Sequence, residues 1–286
     1  LRKAGYDPRA MSTVLRSLAL QNALDARLIG RNASIPEWAS THPDPASRVA
    51  AAEQRAAGAT GITNRDTFLT RIDGILYGDD PAQGVIEGQQ FIHPDLRLAF
   101  AAPNGFYMIN GTRAVTINGQ SGQAQFTTAQ YGGNLQSYVQ SVFAGLSQQQ
   151  QIQPGSIERT TINGLPAAYG TARVATGNGQ VDVTVFAYEF SNSQAFHFLA
   201  ITQAGNTNVF NSMFRSVRRI NSQEAAGVIP RRIDVVTVRS GDTVQSLASR
   251  MAYSDNQVER FRVLNALGAS DTVRAGQKVK IVVRAR

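Results

Sequence analysis

The residues with most chemistry within reach lie at Ser40-Thr41-His42-Pro43-Asp44-Pro45, with Arg48 one turn further on. Asp44 can accept hydrogen bonds from the first N–H groups of a following helix, and Pro45 at the first helical position gives up no bond by lacking its own N–H. The spacing predicts a helix entrance with an imidazole in its approach loop. An imidazole placed so could be a zinc ligand, a general base or a surface residue. The other two histidines, His93 and His197, have no second ligand at helical or hairpin spacing and read as structural. Asp79-Asp80 beside Pro81 reads as a solvated turn.

No complete catalytic set is written in the chain. None of the histidines opens an H-E-x-x-H helix, and neither a G-x-S-x-G elbow nor a phosphate-cradling G-x-x-x-x-G-K occurs. The absence of cysteine excludes disulfides, a thiol nucleophile and cysteine-held zinc. The net charge of +8 comes almost wholly from arginine, since lysine stands only at 3, 278 and 280. That balance suits an anionic partner, but the arginines are scattered outside Arg218-Arg219 and Arg231-Arg232. With no nucleic-acid signature beside them, nucleic acid is not an expected partner. No apolar run approaches the ~20 residues of a transmembrane segment, so none is expected.

The elements that position these residues follow from periodicity. Residues 7–29 read as an amphipathic helix entered at Asp7-Pro8, with Met11, Val14, Leu15 and Leu18 on one face, and a second helix runs from Pro45 to about Gly58. A third, entered at Asn64, is predicted from Arg65 to Leu76 on the spacing of Phe68, Leu69, Ile72, Ile75 and Leu76. From about residue 90 the period becomes alternating. Strands are predicted at 97–101, 107–110, 114–118, 124–128, 156–162, 167–175, 181–190 and 195–203, joined by Asn-Gly and Gly-Asn-Gly turns into a mainly antiparallel sheet. Helices from Leu135 to Leu146 and from Thr207 to about Val217 complete an α+β sandwich with helices on one face.

Three resemblances add to this reading. Ala4-Gly5-Tyr6-Asp7-Pro8-Arg9-Ala10-Met11, Thr41-His42-Pro43-Asp44-Pro45 and Arg48-Val49 resemble the end of the catalytic domain of zinc metallopeptidases of the HtpX and CAAX-prenyl-protease type, in their soluble bacterial envelope branch. Asp73 to Asp79 and Phe91-x-His93-Pro94 extend that likeness. The family's metal ligands, two histidines of an H-E-x-x-H helix and a later glutamate, would precede this chain. The resemblance therefore implies a C-terminal fragment of an envelope metalloendopeptidase, inactive by itself. Zinc belongs to the full-length protein and none is expected here. The implied partners are the protein's own N-terminal catalytic domain and protein substrates. His42 would be a loop residue over the metal cleft and an extra, regulatory zinc ligand in the full-length protein, with Arg48 bracing the loop or facing substrate.

Leu98-x-Phe100-x-x-Pro103-x-Gly105-Phe106, together with Phe210-x-x-x-Phe214-Arg215-Ser216-Val217, is similar to PsbP-like domains. The segments Val236 to Ala248, Val263 to Leu267 and Val273 to Ile281 look like a LysM module, a β-α-α-β unit that binds N-acetylglucosamine in peptidoglycan or chitin. That likeness implies a groove with Gly241, Asp242, Thr243 and Val244 on one wall and Leu267, Gly268 and Ala269 near the other. The stretch 251–257 is longer than the family's pattern. Docking to the protein's own body is an alternative role for the module. The expected division is a helical metallopeptidase remnant over 1–80, a PsbP-like α+β domain over 90–221, a linker over 222–232 and a LysM-like domain over 233–286. The expected setting is the periplasm or cell envelope of a bacterium. The expected role is an accessory region that positions the enzyme or selects substrate; the alternative is a non-enzymatic peptidoglycan-binding protein.

Overall fold

A computed structural model describes residues 1–28, 45–146, 152–177 and 179–285, so the readings that fall on Trp38, His42 and Asp44 lie outside the described residues. The chain forms two compact units, Leu1–Gly78 with Pro230–Arg286, and Asp79–Ile229.

The unit 79–229 is built on a fully antiparallel seven-stranded sheet. Its strands are β4 (Tyr107–Asn110), β5 (Val115–Gly119), β6 (Gly122–Thr128), β7 (Ile157–Ile162), β8 (Leu165–Thr176), β9 (Gly179–Ser191) and β10 (Gln194–Gln203), in the order β4-β5-β6-β10-β9-β8-β7. A second, four-stranded sheet joins β1 (Val85–Glu87), β2 (Gln90–His93), β3 (Leu98–Ala101) and β11 (Arg218–Arg219) in the order β1-β2-β3-β11. Alternation along β9 explains how both faces of the large sheet are buried. Val183, Val185 and Ala187 meet Leu135, Tyr138, Val139 and Phe143 of a helix over Leu135–Gly145. Phe186, Tyr188 and Phe190 point to the other face and join Phe100, Phe126, Phe198, Phe210 and Phe214 in an aromatic core. That face is closed by β3 and by the turn and short helix over Thr207–Ser216. The helices thus lie on opposite faces of the sheet, because Val185, Phe186, Ala187 and Tyr188 are all buried and leave neither face to water.

The other unit contains α1 (Arg9–Leu28), α2 (Pro45–Ala56) and α3 (Arg65–Ile72), with α7 (Val244–Ala248), α8 (Gln257–Leu264) and the antiparallel pair β12 (Arg231–Thr237) and β13 (Lys278–Arg284); the α5 and α6 labels are kept for Asn211–Ser216 and Ser222–Ala226, and α4 for Leu135–Gly145. Asp7 enters α1 by accepting from Arg9 N at 2.9 Å, and the Arg9 guanidinium beside it holds its carboxyl below the usual carboxylate range. Met11, Val14 and Leu18, the predicted apolar face of α1, are 51%, 55% and 47% exposed, while Ser12 and Leu24 are its buried positions. Asn64 stands at the entrance of α3 in the left-handed region (φ 43°) and makes no capping bond with its side chain.

The helix predicted to reach Leu76 stops at Ile72; Asp73 and Gly74 turn, and Ile75 to Tyr77 run along β12. Leu76 pairs antiparallel with Arg232, Tyr77 N donates to Arg231 O at 2.8 Å, Gly74 N to Ile233 O at 2.8 Å, and Ile233 N to Ile75 O at 2.9 Å. Asp73 Oδ1 accepts from Val235 N at 2.9 Å, and Gly74 supplies the positive φ of 79° that turns the chain onto the strand. Ile72 and Tyr77 pack on the core formed by Ile233, Val244, Leu247, Phe261, Val279 and Ile281. Ile72 and Tyr77, assigned to a separate segment in the sequence reading, therefore share one hydrophobic core with residues 233–283.

Candidate functional site

The site is assembled at the end of the β12–β13 pair where two loops meet. Val238 N donates to Gln277 O at 2.8 Å and Gly276 N to Val238 O at 2.9 Å, tying the loop that leaves β12 to the turn that opens β13. Past Val238 the chain turns at Gly241, whose φ of 86° favours glycine, and Asp242 Oδ2 accepts from Arg239 N at 2.7 Å. Thr243 caps α7 reciprocally with Ser246: Thr243 Oγ1 accepts from Ser246 N at 3.0 Å and Ser246 Oγ from Thr243 N at 2.9 Å. Val244 points inward and joins the core.

The second wall is held by Asn265. Its amide donates to Phe261 O (3.0 Å) and Lys280 O (2.8 Å), and its Oδ1 accepts from Lys280 N at 2.7 Å, fastening the end of α8 to β13. Beyond it Gly268 N donates to Asp271 Oδ2 at 2.8 Å, while Gly268 O accepts from the Arg262 guanidinium. The result is an open depression of about 600 Å³ lined by Leu267, Ser270, Asp271, Thr272, Arg274, Ala275 and Gln277.

Of the residues expected in a groove, Leu267 lines this depression, and Gly268 and Ala269 lie in the loop that leads into it. Gly241, Asp242, Thr243 and Val244 do not line it; they shape the neighbouring turn and helix cap. The lining residues that sequence reasoning did not name are Ser270, Asp271, Thr272, Arg274, Ala275 and Gln277. Their signal is a polar run between the second helix and the last strand.

The long stretch 251–257 is fastened elsewhere. Ala252 N donates to Val282 O at 2.8 Å and Gln257 Nε2 to Tyr253 O at 2.6 Å. Val282 lies four residues into β13, about 13 Å along the strand from its opening. The extra length therefore leaves the depression clear. The guanidiniums of Arg260 and Arg231 lie 4.2 and 5.1 Å from the centre of the Tyr253 ring, and burial raises that phenol.

For a metal the described residues make a poor fit. No group of three or more His, Asp or Glu side chains comes together among them. His93 Nδ1 accepts from Leu96 N at 3.3 Å, and His197 Nδ1 meets the Tyr138 hydroxyl at 2.8 Å. Asp79 and Asp80 accept from the backbone N–H groups of Ile86 and Ala82. Arg48 is exposed on the first turn of α2, and His42 lies outside the described residues.

Residues 236–282 match the LysM domain family. No curated protein matches the chain. Among solved structures, the solution structure of cyanobacterial PsbP (CyanoP) from Synechocystis sp. PCC 6803 aligns with a TM-score of 0.36 at 12% identity, covering 48% of this chain and 98% of its own. A crystal structure from Bacteroides thetaiotaomicron VPI-5482 aligns at 0.38 and 8% identity, covering 69% and 87%.

Proposed function

We propose that this chain is a glycan-binding protein of the bacterial envelope whose LysM module holds the N-acetylglucosamine units of peptidoglycan. The observation that carries the reading is the LysM match over 236–282 together with the depression at the joined loops. Its lining suits a sugar: hydroxyls of Ser270 and Thr272 and the Gln277 amide can exchange hydrogen bonds with a ring, while Leu267 and Ala275 offer apolar surface to its C–H face. Gly241, Asp242, Thr243 and Val244 act in this reading by holding the neighbouring wall. The test is co-sedimentation of the whole chain with purified peptidoglycan across a salt series. Binding that persists in salt and is lost on Ala275→Trp, which fills the depression, supports the reading. Binding that vanishes at moderate salt overturns it in favour of plain attraction between arginines and an anionic polymer.

A second reading keeps the metallopeptidase resemblance: the chain is an accessory region that positions a zinc endopeptidase or selects its substrate. It rests on the quoted motif residues, and the exposed row Met11, Val14 and Leu18 on α1 favours it as a face for further protein. There His42 is a latch on zinc in the full-length enzyme and Arg48 its brace. His42→Ala in that enzyme tests it: a gain of activity supports the latch, while unchanged activity or a steep loss with zinc still bound removes it.

A further inference from the structure

The unit 79–229 carries a second cavity, about 280 Å³, between the β7–β8–β9 side of the large sheet and the row Thr207, Asn211 and Arg215. Its floor is aromatic and layered. Tyr169 stacks on Phe186 at 5.0 Å and 8°, and Phe186 on Phe214 at 4.8 Å and 24°. Next to the rings stand the hydroxyls of Thr171 and Thr184, 3.0 Å apart and bonded to each other, with Thr160 on the adjoining strand. Strand alternation puts these on one face: Tyr169 lies opposite Phe186 and Thr171 opposite Thr184 in the β8–β9 register.

The far wall differs in one respect. The side chains of Thr207, Asn211 and Arg215 are bonded to nothing in the described protein, and neither is Thr160. Asn211 and Arg215, four residues apart, come from one face of a helix. The Arg215 guanidinium, five donors in a fixed fork, has no carboxylate partner, whereas Arg173 and Arg218 in the same unit are paired with Asp182 and Glu224. Glu158, beside the cavity, already accepts from the Tyr169 hydroxyl at 2.5 Å.

We propose that this cavity binds a single sugar ring bearing a carboxylate. Each part of such a ligand has a counterpart. The partly buried Tyr169 ring, backed by Phe186 and Phe214, offers apolar surface to the C–H groups of the ring. The hydroxyls of Thr160 and Thr207 and the Asn211 amide meet its hydroxyls. Arg215 takes the carboxylate by two parallel N–H bonds. The volume falls just below the range of most ligand sites, about 300 to 1,000 Å³, so the occupant is one ring rather than a chain. This site is independent of the LysM depression and of its glycan reading.

The test is an amide chemical-shift titration of the whole chain with D-glucuronate, with D-glucose as the uncharged control, on the parent and on Arg215→Gln. The exposed position of Arg215 lets the variant keep its fold, checked by an unchanged spectrum away from the cavity. Glucuronate is expected to shift the resonances of Thr160, Thr171, Asn211 and Arg215, with Arg215→Gln weakening it about tenfold or more, as loss of a charged hydrogen-bonding partner requires. Glucose is expected to bind more weakly and equally to both proteins. No response at the cavity, an equal response to both sugars, or an unaltered affinity for glucuronate in Arg215→Gln each overturns the assignment.

Discussion

His197 shows what a buried imidazole costs and what it fixes. It is 4% exposed in β10, burial pushes its pKa down to about 4, and its Nδ1 takes the Tyr138 hydroxyl, which in turn accepts from Ala129 N at 3.0 Å. The neutral ring is therefore a structural hydrogen-bond partner that fastens the helix Leu135–Gly145 to the sheet. Because the folded value is depressed from 6.5, the unfolded chain binds the proton first. This contribution is complete above about pH 6.5 and is lost as the pH falls toward 4, on the order of 3 kcal/mol in all. Denaturation of the 79–229 unit followed from pH 7 to 4 should show that loss, and His197→Gln should flatten it. Phe196-His197-Phe198 on a strand already reads as structural in the sequence; Tyr138 as its partner does not, since a helix 59 residues away reaches it only through the packed sheet. Asn265 is the counterpart in the LysM module. Asn265→Ala strips both Lys280 backbone groups of their partner and should cost about 2 kcal/mol, read as a lower unfolding midpoint.

Strand alternation was the most readable signal at the level of elements, because β8, β9 and β10 are long and their turns are marked by Asn163-Gly164 and by the glycines near 177–179. The weakest was the end of α3. Phe68, Leu69, Ile72, Ile75 and Leu76 keep helical spacing, yet Ile75 and Leu76 are 51% and 37% exposed and serve as backbone partners of β12. A short apolar run satisfies both periods, and only the partner strand decides between them. On α1 periodicity identified the helix but not its buried face, since burial depends on where α2 packs. Tyr77 tests the importance of the added edge. Burial pushes its pKa up to about 12, and its ring lies on the LysM core. Tyr77→Ala should destabilise that unit by about 2 kcal/mol and loosen amide protection along β12, leaving the unfolding of 79–229 unchanged.

Charge is divided between the two units of the molecule. Residues 1–78 and 230–286 hold 21 of the 28 basic and 12 of the 20 acidic side chains, a net +9, and residues 79–229 carry a net −1. An anionic polymer would therefore be drawn to the first unit. The sequence marks the LysM boundaries clearly because that module's contacts are local. It does not mark residues 65–78 as part of the same unit, since their partners lie more than 150 residues away. Leu76 pairs with Arg232 and Tyr77 with Arg231, so residues 79–229 interrupt what would otherwise be a hairpin with Gly78-Pro230 as a two-residue connection. Deleting 79–229 and joining Gly78 to Pro230 should leave a folded protein that unfolds cooperatively by circular dichroism; 231–286 alone should be less stable than this deletion. The same adjacency sets how the molecule carries load. A pull exerted by the inserted unit through Gly78 and Pro230 falls across the hairpin bonds at one end and opens them one after another. Tension drawn from the Lys278 end of β13, opposite to the end at Arg231, loads its bonds to β12 together, in shear. Under such strain the unit would therefore release residues 73–77 first and keep its β12–β13 pair, and the chain would lengthen there while the core around Phe261 stayed whole.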